Sequence, residues 1–242
     1  MSTRANFQGF LFDMDGTLVD STAAVNSAFD TWSQMLELDP IKVKAQSHGV
    51  RLQDSTKKWY SEKGITLTQE EAIQKGREFE ENIISNGKEL QKAGLRGIVA
   101  LPGVVELLEK LMQVKNSWCL ATSGTEWYAE QCFDVALPGL WPSNRITGDM
   151  CEKGKPNPEP YLKAAEVLRL KPGETLAIED APAGVTSGKI AGCRVLAVCT
   201  SHTRERMEET EADWVCDDLT CVHVKKVDDS WEVFFDTQVK LP

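Results

Sequence analysis

The segment Phe10-Leu11-Phe12-Asp13-Met14-Asp15-Gly16-Thr17-Leu18 constrains this chain more than any other. An apolar strand runs into two carboxylates two residues apart and then into Gly-Thr. Side chains at i and i+2 of a strand point the same way, so Asp13 and Asp15 are expected on one side of the strand's carboxyl end. In open α/β sheets that end is where ligands bind. Two carboxylates held close repel unless a cation or a proton separates them. The pair therefore asks for Mg²⁺, or for one acid kept protonated, and both serve the movement of a phosphoryl group.

The rest of the chain extends the same grammar. Trp118-Cys119-Leu120-Ala121-Thr122, Thr175-Leu176-Ala177-Ile178 and Val195-Leu196-Ala197-Val198 are short apolar runs, and Ile146 lies in another. Helical patterns separate them, near Val104–Leu111, Trp127–Phe133, Tyr161–Leu168 and Val185–Ala191. Short apolar strands alternating with helices predict a buried parallel sheet. Between residues 20 and 95 the pattern is helical: Ser21 is a plausible N-cap, Ala24, Val25, Ala28, Phe29, Trp32, Met35 and Leu36 recur at helical spacing, and helices are expected near Leu52–Glu62 and Glu70–Ser85. The expected fold class is α/β: a doubly wound parallel-sheet core, residues 1–19 and 96–242, interrupted by an all-helical cap, residues 20–95. Trp231–Phe235 is expected as a last edge strand.

Composition narrows the partners. Hydrophobic residues make up 41% of 242, as in an ordinary globular protein. A formal net charge of -10 disfavours nucleic acid and anionic membrane as partners. A small anionic substrate stays possible, because cations and helix amino ends can reverse the field inside a cleft. Met1-Ser2-Thr3-Arg4-Ala5-Asn6 carries no apolar h-region, so no signal peptide is expected, and no run approaches a membrane span. Seven cysteines without a C-x-x-C pair read as reduced thiols and a cytoplasmic location. Cys216, Cys221 and His223 come nearest to a metal cluster, but no second ligand pair accompanies them. A monomer is expected.

Polar residues end each apolar strand: Asp13 and Asp15, then Thr122 and Ser123, then Glu179 and Asp180. Lys155 sits in the Gly/Pro-rich loop Lys153-Gly154-Lys155-Pro156-Asn157-Pro158. In a parallel sheet these ends line one edge. Mg²⁺ prefers six oxygens; Asp13, Asp180 and Glu179 can supply carboxylates, and Asp15 its carbonyl. Glu179 is the weaker of its pair, since one of two adjacent acids often acts behind the ligands. Lys155 would cancel charge on the phosphate and on Asp13. Thr122 and the Ser123 N–H would bind a phosphoryl oxygen. Asp13 would attack phosphorus to give an aspartyl phosphate. A protonated Asp15 would serve the leaving alkoxide and then take a proton from the hydrolytic water.

This constellation resembles the haloacid dehalogenase superfamily of phosphohydrolases. Asp13-Met14-Asp15-Gly16-Thr17 matches its first motif, Ala121-Thr122-Ser123-Gly124 the second, Lys155-Pro156 the third and Ile178-Glu179-Asp180-Ala181 the fourth, in order and spacing. Ser47-His48-Gly49-Val50-Arg51, Thr125 and Glu179 through Gly184 carry a closer likeness to fungal phosphatases of glycerol 3-phosphate and 2-deoxyglucose 6-phosphate. The resemblance implies a Mg²⁺-dependent phosphomonoesterase acting on a small sugar or polyol phosphate, with Ser123, Gly124, His48 and Arg51 as substrate contacts and Thr125 and Glu126 facing the same space. Asp15 favours phosphate over carbon–halogen chemistry, because dehalogenases proper lack that second acid. The Lys155-Pro156 bond is a candidate for cis. Trp32, Trp59 and Tyr60 read as cap packing. A sugar phosphomutase of the same superfamily is the alternative enzyme, and a phosphorylatable aspartate switch the alternative from another class.

Overall fold

The computed structural model describes residues 3–47 and 49–236. In chain order its elements are strands β1 (Thr3–Phe7), β2 (Gly9–Phe12) and β3 (Val19–Asp20), then helices α1 (Thr22–Leu36), α2 (Pro40–Ser47), α3 (Leu52–Glu62) and α4 (Gln69–Lys92). Next come β4 (Val99–Ala100), α5 (Val104–Met112), β5 (Trp118–Ala121), α6 (Glu126–Ala136), β6 (Arg145–Ile146), α7 (Glu159–Leu168), β7 (Thr175–Glu179), α8 (Pro182–Ala191) and β8 (Arg194–Val198). The chain closes with α9 (Arg204–Glu208), β9 (Trp214–Cys216), β10 (Val222–Val227) and β11 (Ser230–Phe235).

A six-stranded sheet in the order β6-β5-β2-β7-β8-β9 forms the centre, and every pairing in it is parallel. Alternate residues of its strands feed two cores. Phe10, Phe12, Leu120, Leu176 and Ile178 face one with α5 and α6. Leu11, Cys119, Ala121, Ala177 and Val195 face the other with α7 and α8. Phe12 pairs with both Leu120 and Ile178, so Asp13, Ala121 and Glu179 come level at one edge. That register is what gathers the polar strand ends into one place.

Trp231–Phe235 is not an edge strand. As β11 it is the middle of a separate antiparallel sheet, β1-β11-β10, and pairs with Thr3–Phe7 across nearly the whole chain. Its alternate residues Trp231, Val233 and Phe235 are buried, with Phe235 stacked 5.0 Å from Trp214. Two alternating strands that each bury one face need a third to complete the sheet, and the amino terminus supplies it.

The four helices α1–α4 form the cap, entered and left through the antiparallel pair β3–β4. Trp32 and Trp59, with Phe29 and Phe79, make one aromatic cluster with ring centroids 5.0–6.3 Å apart. They are packing residues, as their spacing suggests. Helix α4 runs past Ser85 to Lys92. Gly87 lies within it, and a Cβ there would sit 2.8 Å from the Ile98 side chain, so the glycine lets the helix pack on the segment just before β4.

Candidate active site

Asp13 follows β2 and is buried. Its Oδ1 accepts from Lys155 Nζ at 2.6 Å, and Lys155 also donates to Glu179 Oε1 at 2.6 Å. Lys155 lies in the loop before α7 and is fully buried, its cis bond to Pro156 within that loop. Burial alone would pull its ammonium down, but Asp13 and Glu179 outweigh that and hold it above its ordinary value. Burial pushes the Asp13 carboxyl well up; Lys155 opposes the rise, while Glu179 and Asp180 add to it.

Asp13, Glu179 and Asp180 each bring a carboxylate oxygen to within 4.8 Å of the others. Asp180 is pushed up to about 7, first by burial and then by the Glu179 charge. This hard-oxygen set fits a divalent cation. Glu179 is partly committed elsewhere: Oε1 also accepts from Tyr161 Oη at 2.6 Å, and Oε2 from the Asp180 N–H at 3.3 Å. Close approach requires glycines here. A Cβ on Gly16, at φ +82°, would sit 2.0 Å from Asp180 Oδ2, and one on Gly184 would sit 1.9 Å from the Glu179 carboxyl carbon.

Asp15 takes its hydrogen bonds from other partners than Asp13, although the Lys155 charge acts on both. The strand stops at Phe12 and the chain turns, with Met14 O accepting from the N–H groups of Leu18 and Val19 at 2.8 and 3.0 Å. The two-residue repeat of a strand therefore no longer applies at Asp15. Its Oδ1 accepts from Ser21 Oγ at 2.5 Å and from Tyr128 Oη, on α6, at 2.8 Å. Burial raises its pKa, against the pull of these two donors.

Thr122 ends β5. Its Oγ1 accepts from the Gly124 N–H at 3.1 Å, which leaves the hydroxyl proton free to donate. Ser123 donates to the carbonyl of Gly49, in the cap, at 2.8 Å. Gly124 packs on the Tyr128 ring, where a Cβ would lie 2.7 Å from Cδ1.

Arg51 stands at the cap–core boundary. Its guanidinium donates to the carbonyls of Cys151 at 2.6 Å and Glu152 at 3.0 Å and pairs with Asp54 at 2.8 Å, so in this arrangement it clasps the core loop. His48 lies outside the described residues. Thr125 caps α6 and donates through its N–H and hydroxyl to Glu80 of α4 at 2.8 and 2.5 Å, while Glu126 pairs with Arg145. Between cap and core lies a cavity of about 230 Å³ whose walls include Arg51, Gln53, Arg77, Glu80, Ser123 and Asp149.

Several residues at the site carry no motif signal. Ser21 reads as an N-cap but makes no side-chain capping bond; its hydroxyl goes to Asp15. Thr200 donates to the Gly16 carbonyl, and His202 Nδ1 is 3.0 Å from the Asp180 carbonyl. Both follow β8, so the rule that ligands gather at strand carboxyl ends points to them. The thiols of Cys216 and Cys221 both donate to the Asp218 carbonyl, and His223 lies beside Asp236 instead.

Buried carboxylates with an ammonium gather at the carboxyl edge of a parallel sheet, under a helical cap. The haloacid dehalogenase-like hydrolase family matches residues 7–192, and the chain belongs to it. It is 35% identical over 205 residues to hexitol phosphatase A of Escherichia coli (strain K12), covering 84% of this chain and 88% of that protein. It is 31% identical over 238 residues to glycerol-1-phosphate phosphohydrolase 1 of Saccharomyces cerevisiae, covering 93% and 89%. In fold it is similar to β-phosphoglucomutase from Clostridium difficile, with a TM-score of 0.68 and 19% identity over 88% of this chain and 92% of that one. Among the described residues no helix is long and apolar enough to cross a membrane.

Proposed function

We propose that the chain is a cytoplasmic, Mg²⁺-dependent phosphomonoesterase that hydrolyses a small polyol or sugar phosphate through an aspartyl phosphate. The observation that carries this reading is Lys155 Nζ bound at 2.6 Å to a buried Asp13 with Glu179 and Asp180 beside them. The named activities of the bacterial and yeast relatives support it.

Asp13, Asp180 and the Asp15 carbonyl would hold the Mg²⁺, with Glu179 at its border. Bound there, Mg²⁺ supplies the positive charge that lets an anionic nucleophile approach an anionic phosphoryl group. Asp13 attacks phosphorus as the bond to the leaving oxygen breaks. Asp15, protonated, gives its proton to that oxygen, so the alcohol departs neutral. A water then attacks phosphorus, Asp15 takes the water's proton, and Asp13 leaves as a free carboxylate with inorganic phosphate as product. The Thr122 hydroxyl and the Ser123 N–H bind phosphoryl oxygens, and Lys155 offsets charge on Asp13 and on the phosphate.

Residues 20–95 form the cap domain in this reading, and 1–19 with 96–242 the catalytic core. His48, Arg51, Ser123 and Gly124 border the substrate in this reading; Arg51 and Ser123 also line the cap–core cavity, whose walls do not include Asp13, Lys155 or Asp180. Cap opening would break the Arg51 clasp and free its guanidinium. The test is phosphate release from glycerol phosphate, hexitol phosphates and hexose phosphates with and without Mg²⁺. Mg²⁺-dependent phosphate release from this panel is expected. An isomeric sugar phosphate in place of inorganic phosphate would make the enzyme a mutase, and a long-lived phosphoprotein would make it a switch.

A further inference from the structure

Asp15 Oδ1 takes two donors, Ser21 at 2.5 Å and Tyr128 at 2.8 Å, and among the described residues none reaches Oδ2. Both donors hold the same carboxyl oxygen, so together they fix the rotation of the Asp15 carboxyl. Tyr128 is itself tightly placed. It is buried on α6, with its ring against Gly124. Its N–H donates to Thr125 Oγ1 at 3.3 Å, the same hydroxyl that donates to Glu80. Glu80 belongs to the cap and is 1% exposed. It receives both the N–H and the hydroxyl of Thr125, so the cap's main contact with α6 is made at the helix's first turn. Beside it, the Arg77 guanidinium stacks 3.4 Å over the Trp127 ring.

Resting on the phosphatase reading, we propose that Tyr128 and Glu80 are positioning residues for the acid/base carboxylate. Tyr128 fixes the rotation of the Asp15 carboxyl, and Glu80 seats α6, and with it Tyr128, when the cap is closed. The proton of Asp15 is then aimed at the leaving oxygen only under a seated cap. Neither residue touches the reacting atoms. Misplacing a reacting group by an ångström can cost about 10²-fold in rate, so a hydroxyl that sets one torsion matters.

The experiment compares Tyr128→Phe, Glu80→Gln and the double variant on two esters, a hexitol phosphate and p-nitrophenyl phosphate. The alkyl alcohol needs a proton to leave; the nitrophenolate does not. Each single variant is expected to lower kcat/KM on the hexitol phosphate about tenfold and to lower kcat/KM on p-nitrophenyl phosphate less than twofold, because kcat/KM ends with release of the leaving group and excludes the water step that Asp15 also serves. The double variant is expected to lose no more than the worse single one, because both act through one carboxyl. Equal losses on both esters, no loss, or losses that multiply would overturn the inference while the hydrolase reading stands. Wild-type enzyme that releases phosphate from neither ester would overturn that reading and this inference with it. Tyr128→Phe deletes one oxygen and keeps the ring, so if Glu80→Gln does not fold, the leaving-group contrast in Tyr128→Phe alone decides.

Discussion

Replacing Lys155 with Met separates charge from packing at the centre of the site. The two side chains are similar in length, so Lys155→Met leaves no large void next to Tyr161, whose ring lies 5.1 Å from Nζ. What it removes is the cation bound at 2.6 Å to both Asp13 and Glu179, with Asp180 adjacent. Taking one partner from a buried ion pair costs about 3–5 kcal/mol, because the remaining charges stay buried and uncompensated. At about 2–4 °C per kcal/mol for a chain of this size, Tm should fall by about 6–20 °C in metal-free buffer at pH 8. The sign of the pH dependence follows from the carboxyls left behind. Burial already holds Asp13 well above the ordinary carboxylate value and Asp180 at about 7. Groups raised in the folded state bind more protons there than in the unfolded chain, so the stability they confer is present at low pH and is lost as pH rises through their folded values. The Tm deficit of Lys155→Met should therefore shrink at pH 5.5. Saturating Mg²⁺ should raise the variant's Tm more than the wild type's, since the variant's cluster is more negative, yet kcat should stay low. Thermal melts at the two pH values, with EDTA or Mg²⁺, test this. A Tm within 2 °C of wild type at pH 8, or a deficit that does not change with pH, would refute the charge argument.

Other expectations follow from single contacts. Asp13→Asn should fold and bind substrate yet release no phosphate and form no phosphoprotein; turnover near wild type, measured by phosphate release, would remove Asp13 from the nucleophile's role. Gly184→Ala must displace the Glu179 carboxyl, which its Cβ would meet at 1.9 Å; a stability loss of about 1–3 kcal/mol and a fall in kcat are expected, whereas Gly173→Ala, with its nearest neighbour 3.7 Å away, should unfold at a denaturant midpoint close to wild type. Glu80 is held at about 7 by burial, against the pull of Thr125. Between its ordinary value and pH 7 the folded protein holds a proton that the unfolded chain has lost, so the stability from Glu80 falls as pH rises through that window, by up to about 3 kcal/mol. Urea midpoints at pH 5 and pH 8 should therefore differ less in Glu80→Gln than in wild type.

The core of the site is legible in the sequence because each of its strands is a short apolar run that ends in a polar residue. Parallel pairing then brings those ends together, and no long-range information is needed to find Asp13, Thr122 and Asp180; Lys155 ends no strand and is legible only from its Gly/Pro-rich loop and the family's motif order. Helix α3 has the bounds its pattern predicts, Leu52–Glu62. The sheet β1-β11-β10 is not legible, because its register joins Thr3 to Phe235 and nothing local to either strand names the other. Helix α2 is short and weakly amphipathic, so Pro40–Ser47 gives no clear period. Glu80 is one acid among many on α4, and only tertiary packing singles it out as the buried one. Ser21 precedes a helix and looks like a cap, but at φ -105° and ψ 3° it lacks the extended backbone that aims a capping oxygen at the helix N–H groups, and its hydroxyl proton goes to Asp15.

Cap and core touch at particular places, and those places say how specificity can reach the chemistry. Gly49 accepts from Ser123, Glu80 from Thr125, and Arg51 donates to the carbonyls of Cys151 and Glu152. The first two contacts fall on the loop after β5 that carries Thr122, and the third falls on the loop that leads to Lys155. The cap, through the segment before α3 and through α4, therefore grips the segments proposed to hold the phosphoryl group and offset its charge, while Asp13 is set by the sheet register and by its bond to Lys155. A leaving group that prevents the cap from seating would leave the nucleophile in place and disturb the groups around the phosphate. Poor substrates should then show lowered kcat as well as raised KM, because substrate fit and phosphate positioning share the same hydrogen bonds.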